Sequence, residues 1–281
     1  MKKNKKEIEG WKYYNHAAIP TTAPHEKTNI KPIEDGTIWN MTDGKPLFAR
    51  YSTDWDCREE TQWWYIIKDT PFDINELKSK RRYEINKGTK NFYVEKIEAH
   101  QYANQICDIA FEAWKNYPSS YRPNVIPQNY IEEIKKWSDV IVYGAFYKAN
   151  SELCGYAVIK ENKSYLSFIQ LKTIPKYEKY GINFAIINQI LSDYKLSKEF
   201  YICDGTRNVL HETKFQDFLI KYFGFRKVYC KLNIVYRKPI KILIKTLKPF
   251  RKFLNSIGKI GKQINAVFLM DDISESCKRY K

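Results

Sequence analysis

Three β-type runs follow one another between Val140 and Lys172 with almost nothing to join them, and this constrains the chain more than any other feature. The runs cover residues 140–147, 153–160 and 165–172, and Asn150-Ser151 and Asn162-Lys163 stand between them. Such short polar joints predict adjacent antiparallel hairpins. The pattern then changes to helix 182–194, strand 200–203, helix 211–222 and strand 227–236. An antiparallel half that passes into a β-α-β-α-β half predicts a mixed α/β sheet. A strand at 92–97 and helices at 100–116 and 128–138 precede it, with Ile106, Ile109, Ala110 and Ala113 as the buried stripe of the first helix.

The flanks read differently. Residues 1–34 are polar, carry Pro20, Pro24 and Pro32, and are expected to form a loosely docked arm. Short β-type runs at 37–39, 46–51 and 62–67, with Asp43-Gly44 as a turn signal, predict a small antiparallel extension. Within it Trp55, Trp63 and Trp64 either line a cleft or pack against a sheet. Residues 73–91 predict a basic surface helix, capped by Asp73 and closed by Gly88. At 239–264, apolar residues recur every three or four positions among lysines, and Pro249 and Gly258 should divide the segment into short helices. The expected division is a polar arm (1–34), a β extension with the basic helix (35–91), a main domain (92–237) and basic amphipathic helices (238–281).

The net charge of +16 is concentrated: residues 218–270 hold 13 Lys or Arg and no Asp or Glu. Such a stretch implies an anionic partner or a solvated basic face. The stripe at 239–264 either packs on the domain or docks on an anionic membrane surface. No apolar run reaches the ~20 residues of a membrane-spanning helix. Glu7, Glu9 and Tyr13 interrupt the place of a signal peptide. A cytoplasmic location follows, with peripheral attachment to the inner face of the cell membrane as its variant. The six cysteines and four histidines are dispersed, so no metal site is expected.

The order strand, helix, helix, three antiparallel strands, helix, strand, helix, strand resembles the GNAT acyltransferase fold. The fold class is therefore expected to be α/β (α+β): a GNAT-like, mixed, mostly antiparallel splayed sheet flanked by helices. Arg81-Arg82-Tyr83-Glu84-Ile85-Asn86-Lys87-Gly88, followed by Phe92-Tyr93-Val94, resembles the basic helix and first strand of Fem-type peptidoglycan aminoacyltransferases. Cys203-Asp204-Gly205-Thr206-Arg207, with the stretch 218–226 that ends in Gly224-Phe225-Arg226, is similar to the elements that close such domains. The chain also resembles acetyltransferase-like proteins of bacterial surface-polysaccharide clusters.

The resemblance implies acetyl-CoA, or another acyl-CoA, as cofactor. Its diphosphate would rest on the amides opening the helix after the fourth strand of the fold. The residues at that place are Leu171, Lys172, Thr173, Lys176, Lys179, Tyr180, Gly181, Ile182 and Asn183. Of the family pattern Gln/Arg-x-x-Gly-x-Gly/Ala, Glu178-Lys179-Tyr180-Gly181-Ile182-Asn183 keeps only the first glycine. Acyl transfer needs a base, an oxyanion donor and an acid. Asp204 and His211 are the candidate bases, and the resemblance implies Tyr222 as the acid. Trp63, Trp64, Tyr121 and Arg122 are candidates for an acceptor, a small molecule or a nucleotide- or lipid-linked sugar. The rival reading is a Fem-like transferase that draws on aminoacyl-tRNA, in which the basic regions would meet RNA phosphates. A third is a non-catalytic module docked on anionic lipid.

Overall fold

The structure, a computed structural model, describes residues 8–42, 44–119, 122–209, 214–256 and 258–279. In chain order its strands are β1 (Trp11–Tyr14), β2 (Ala17–Pro20), β3 (Phe48–Thr53), β4 (Trp64–Lys68), β5 (Phe92–Ile97), β6 (Ile141–Tyr147), β7 (Glu152–Glu161), β8 (Tyr165–Thr173), β9 (Tyr201–Thr206), β10 (Arg226–Tyr229) and β11 (Lys231–Tyr236). Its helices are α1 (Lys31–Glu34), α2 (Ser79–Asn91), α3 (Ala103–Lys115), α4 (Pro127–Ile134), α5 (Ile182–Asp193), α6 (Lys214–Phe223), α7 (Lys238–Leu247), α8 (Arg251–Asn255) and α9 (Gly258–Cys277). The strands form a four-stranded sheet ordered β1-β2-β3-β11 and a seven-stranded sheet ordered β10-β4-β9-β8-β7-β6-β5. This is the mixed α/β class that the alternation of the sequence predicts.

Two compact units make up the chain. The first takes Met1–Ile66, Thr206–Phe215 and Lys227–Lys281, and the second Ile67–Gly205 and Gln216–Arg226. In the second unit the three β-type runs pair as adjacent antiparallel hairpins, with Val142 opposite Val158 and Ala157 opposite Leu171. β5 completes that meander, Phe92 opposite Tyr147. One face is covered by α3 and α4, whose Ile106, Ile109, Ala110, Tyr130 and Ile134 pack with Val142, Phe146, Tyr156 and Val158. Each isoleucine so removed from water contributes about 2 kcal/mol. α5 lies against β5, β6 and β7, and α2 lies against α5.

α2 departs from the sequence reading at both ends. Asp73 caps a 3-10 turn, Ile74–Glu76, by accepting from the Asn75 amide at 2.8 Å, and the helix itself begins at Ser79. Gly88 does not close α2. It is buried inside the helix, where an added Cβ would stand 2.4 Å from the Gly181 carbonyl oxygen. The glycine serves a close helix crossing rather than a terminus.

In the first unit, residues expected as a loose arm form the antiparallel hairpin β1–β2, Trp11 opposite Pro20. Its turn residues Asn15 and His16 both take left-handed backbone, φ 46° and 65°, the geometry of a type I′ turn. Trp11, Ala18, Ile38, Met41 and Ala49 form a core beside it. The β-type run at 37–39 is instead a 3-10 turn, Thr37–Asn40. Asp35 Oδ1 accepts from the Thr37 amide (2.9 Å) and hydroxyl (2.7 Å), and Gly36 takes φ 78°, so a turn wins over the strand propensity. Asp43 of the proposed hairpin signal lies outside the described residues.

The single strand expected at 227–236 is two strands in different sheets, β10 and β11, divided at Cys230. Buried Thr61 Oγ1 lies 2.7 Å from the Cys230 carbonyl oxygen and 2.8 Å from that of Trp63. β11 pairs with β3 over six residues, from Lys231–Thr53 to Tyr236–Phe48. The C-terminal segment breaks where Pro249 and Gly258 predict, with a 3-10 turn at Lys248–Phe250 and φ 54° at Gly258. Among the described residues no helix is long and apolar enough to cross a membrane. The six cysteines are free thiols.

Candidate functional site

The second unit contains a fork in its sheet. β8 and β9 run parallel, but their pairing covers only Tyr165–Tyr201, Leu166–Ile202 and Ser167–Cys203. Directly beyond, β8 carries a bulge: Ile159 faces Phe168 and Val158 faces Gln170, leaving Ile169 unmatched and half exposed. A bulge bends its strand and strengthens the local twist. The stretch from Gln170 to Thr173 stays paired with β7, while no pair joins it to β9 past Ser167.

Asp204 is the first residue of β9 past the last pair. Burial pushes its carboxyl up from the ordinary range to about 7, partly opposed by Gln216 Nε2, which donates to Oδ2 at 3.3 Å. Gly205 follows within β9 with φ 94° and open space around it. Burial also raises the neighbouring Cys203 thiol to about 12, which leaves it protonated and inert at neutral pH. The fork therefore carries one carboxyl poised to exchange a proton near neutrality.

On the α3–α4 side of the fork, β8 places alternate residues against a tyrosine cluster. Lys172 Nζ donates to the Tyr117 hydroxyl at 2.9 Å, and Gln170 hydrogen-bonds Tyr130, whose hydroxyl is 3.5 Å from that of Tyr156. Burial pushes the Tyr130 and Tyr156 phenols upward, so they stay neutral donors. Sequence reasoning missed this cluster, although glutamine and lysine at alternate positions of an otherwise apolar strand were its signal. Arg122 donates to the carbonyls of Tyr117 (2.8 Å) and Lys115 (2.7 Å), so it caps the end of α3. Tyr121 and His211 lie outside the described residues.

The turn from β8 into α5 is a 3-10 segment, Pro175–Tyr180, that ends at Gly181 with φ 87°. Gly181 and Ile182 are buried, and a Cβ on Gly181 would stand 3.0 Å from both Cα and N of Gly88. Asn91 Nδ2 donates to the Tyr180 carbonyl at 3.2 Å, and Thr173 Oγ1 donates to Asn183 Oδ1 at 3.3 Å. Lys176 is 3.9 Å from Glu152, and the ammonium groups of Lys176 and Lys179 lie over the Tyr177 and Tyr180 rings. A diphosphate cradle needs open amides here. The backbone of α2 packs against the Cα and carbonyl of Gly181, and Gly181 and Ile182 are buried there, which leaves little room for a diphosphate seated on Gly181 itself. Leu171 alternates with Gln170 and Lys172 on β8 and has no ligand-type group of its own.

Tyr222 sits near the end of α6 with its ring 4.9 Å from that of Phe184 on α5 and 5.4 Å from Phe218. In the first unit Trp63 is 1% exposed and donates to Ser52 Oγ at 3.0 Å, so it is a core residue and offers no face to an acceptor. Trp64 is half buried, with Arg207 and Lys227 4.8 and 4.2 Å from its ring centroid. The first unit also has its own cleft of about 380 Å³, bordered by His25, Glu26, Tyr51, Asp54 and Trp55. Asp54 and Asp56 hold left-handed backbone at φ 55° and 57° on its rim loop. Among the described residues no cluster of metal-ligating side chains occurs.

No protein-family profile matches the chain, and no curated protein does. Solved structures do. The crystal structure of FemX aligns over 83% of this chain and 85% of its own, at 8% identity and a TM-score of 0.54. L-PGS from Bacillus licheniformis aligns over 84% of this chain and 83% of its own, at 11% identity and TM-score 0.48. The PaiA N-acetyltransferase from Thermoplasma acidophilum, solved with coenzyme A, covers 36% of this chain and 72% of its own, at 21% identity and TM-score 0.29. Identities this low speak for the fold alone. The mixed sheets flanked by helices and the likeness to FemX over most of both chains agree: the chain carries a GNAT-like fold.

Proposed function

We propose that the chain is an acyltransferase, with Asp204 as the general base that activates an amine or hydroxyl acceptor at the fork. The observation that carries this reading is a single carboxyl, raised to about 7, at the point where a GNAT-like sheet opens. A base near the working pH combines a useful ionised fraction with enough basicity to take a proton. Backbone amides on the open edge of β8 would hold the oxyanion of the tetrahedral intermediate. The resemblance offers Tyr222 as the acid, its ring fixed by Phe184 and Phe218.

The resemblance implies two donors, an acyl-CoA and an aminoacyl-tRNA. The burial of Gly181 and Ile182 against α2 supports the second, because it leaves less room for the diphosphate of the first. An RNA donor would use the basic surface. The test is a pair of titrations followed by thermal shift, one with acetyl-CoA and one with charged tRNA. Stabilisation by charged tRNA, together with transfer of its aminoacyl group to a supplied amine such as hydroxylamine at a rate that Asp204→Asn lowers, is the expected result. Stabilisation by acetyl-CoA alone would return the donor to the acyl-CoA class, and turnover undiminished in Asp204→Asn would remove the proposed base.

A further inference from the structure

The C-terminal helices leave one face uncovered. Ile244 is buried, and Ile240, Leu247 and Leu254 are half buried, which gives α7 and α8 an inward apolar stripe. A second apolar set points outward: Ile242 is 70% exposed, Leu243 50%, Phe250 60% and Phe253 68%. The steps from Leu243 to Phe250 and from Ile242 to Phe253 are about two and three helical turns, so at roughly 100° per residue the four side chains share one arc. Lys238, Lys241, Lys245 and Lys252 are exposed and group on one flank of that arc by the same spacing.

The remaining basic residues of the segment are used internally. Lys248 Nζ lies 2.7 Å from Asp271 and 2.8 Å from Asp272, and Arg251 donates to Asp272 at 2.8 Å and to Asn265 Oδ1 at 2.6 Å. These bonds fix the turn between α7 and α8 onto α9 and hold the outer apolar set away from the core. The acids of this region are thus spent on the inner side, and residues 218–270 contain none. An apolar ridge with a lysine flank and no acid is complementary to a surface that offers negative charge above hydrocarbon.

We propose that α7, the turn at Lys248–Phe250 and α8 dock on an anionic phospholipid membrane, with Ile242, Leu243, Phe250 and Phe253 entering the acyl boundary and the four lysines meeting phosphate headgroups. The segment lies in the interface and does not span it. This proposal is independent of the chemistry at Asp204.

The experiment is co-sedimentation of the full chain with phosphatidylcholine vesicles, with and without phosphatidylglycerol. Binding to the anionic vesicles, weakened by salt and absent from neutral ones, is expected. Phe250→Ala with Phe253→Ala should weaken it tenfold or more, and each of Lys241→Ala and Lys245→Ala roughly fivefold, with melting temperatures unchanged because the side chains are exposed. No sedimentation with either vesicle overturns the proposal. So does loss through the lysine variants with none through the phenylalanine variants, which would mark a site for a nucleic acid or another polyanion. A dimer in solution dispersed by Phe253→Ala, without vesicle binding, would assign the face to a second copy of the chain.

Discussion

Gly88 of α2 and Gly181 at the head of α5 meet backbone to backbone, so close that a methyl group on either would strike the other. Gly88→Ala would put its Cβ 2.4 Å from a carbonyl oxygen that cannot swing aside, because it also accepts from the Ala185 amide at 3.1 Å. A loss of roughly 1–3 kcal/mol in urea unfolding is expected. Gly181→Ala adds the strain of φ 87° and should cost at least as much. An unchanged midpoint for both variants would show that the helices stand further apart.

Asp204 gives a pH signature separate from activity. Its carboxyl is raised to about 7 in the folded chain, against about 4 when unfolded. The folded state therefore holds the extra proton between those values, and stability falls as pH rises from 4 through 7. Asp204→Asn cannot ionise, so its melting temperature should exceed that of the wild type at pH 8 and match it near pH 4. The gap corresponds to at most about 4 kcal/mol, less what water reaching the carboxyl removes. A variant less stable at pH 8 than at pH 4, relative to the wild type, contradicts the raised carboxyl.

Arg226 grips Asp69 through two nitrogens, Nε at 3.1 Å and Nη2 at 2.7 Å, and Asp69 is 8% exposed. Removing the guanidinium strands a buried carboxylate. Arg226→Ala should lower stability by about 2 kcal/mol and Arg226→Lys by about half of that, since lysine keeps the charge but not the fork. Chemical denaturation of the two variants side by side measures the difference.

The neighbouring tryptophans should behave oppositely. Trp63 fills the core of the first unit, and Trp63→Ala should cost about 3–5 kcal/mol. Trp64 contributes cation–π contacts at a half-buried position, and Trp64→Ala should cost about 1 kcal/mol. Equal losses in thermal melts would mean that the two rings are buried alike.

The sheet around the fork was legible in the sequence because its parts are periodic: apolar alternation in β6, β7 and β8 and a helical stripe in α3, whereas Asp204, expected just past a strand, lies inside β9. Its cofactor corner was not, since Gly181 alone cannot say what lies over it, and its partner Gly88 is 93 positions earlier and looked like a helix stop. The β1–β2 hairpin was missed because Asn15-His16 turns without a glycine, and prolines at 20, 24 and 32 outweighed the short alternation. At the division of β10 from β11 the Cys230 carbonyl meets the hydroxyl of Thr61, from far along the chain. Helix-period and strand-period signals are local, whereas these outcomes were decided by contacts between distant residues.

The pairing of β3 with β11 has a consequence for synthesis. The edge of β3 is complete once Phe48–Thr53 leaves the ribosome, yet its partner Lys231–Tyr236 emerges only after the second unit has been made. At about 5–20 residues per second, that edge stays bare for roughly ten seconds or more. A bare edge strand is where nascent chains adhere to one another. Yield from a cell should therefore respond to translation speed and to chaperones that shield strands, more than the stability of the finished molecule would suggest.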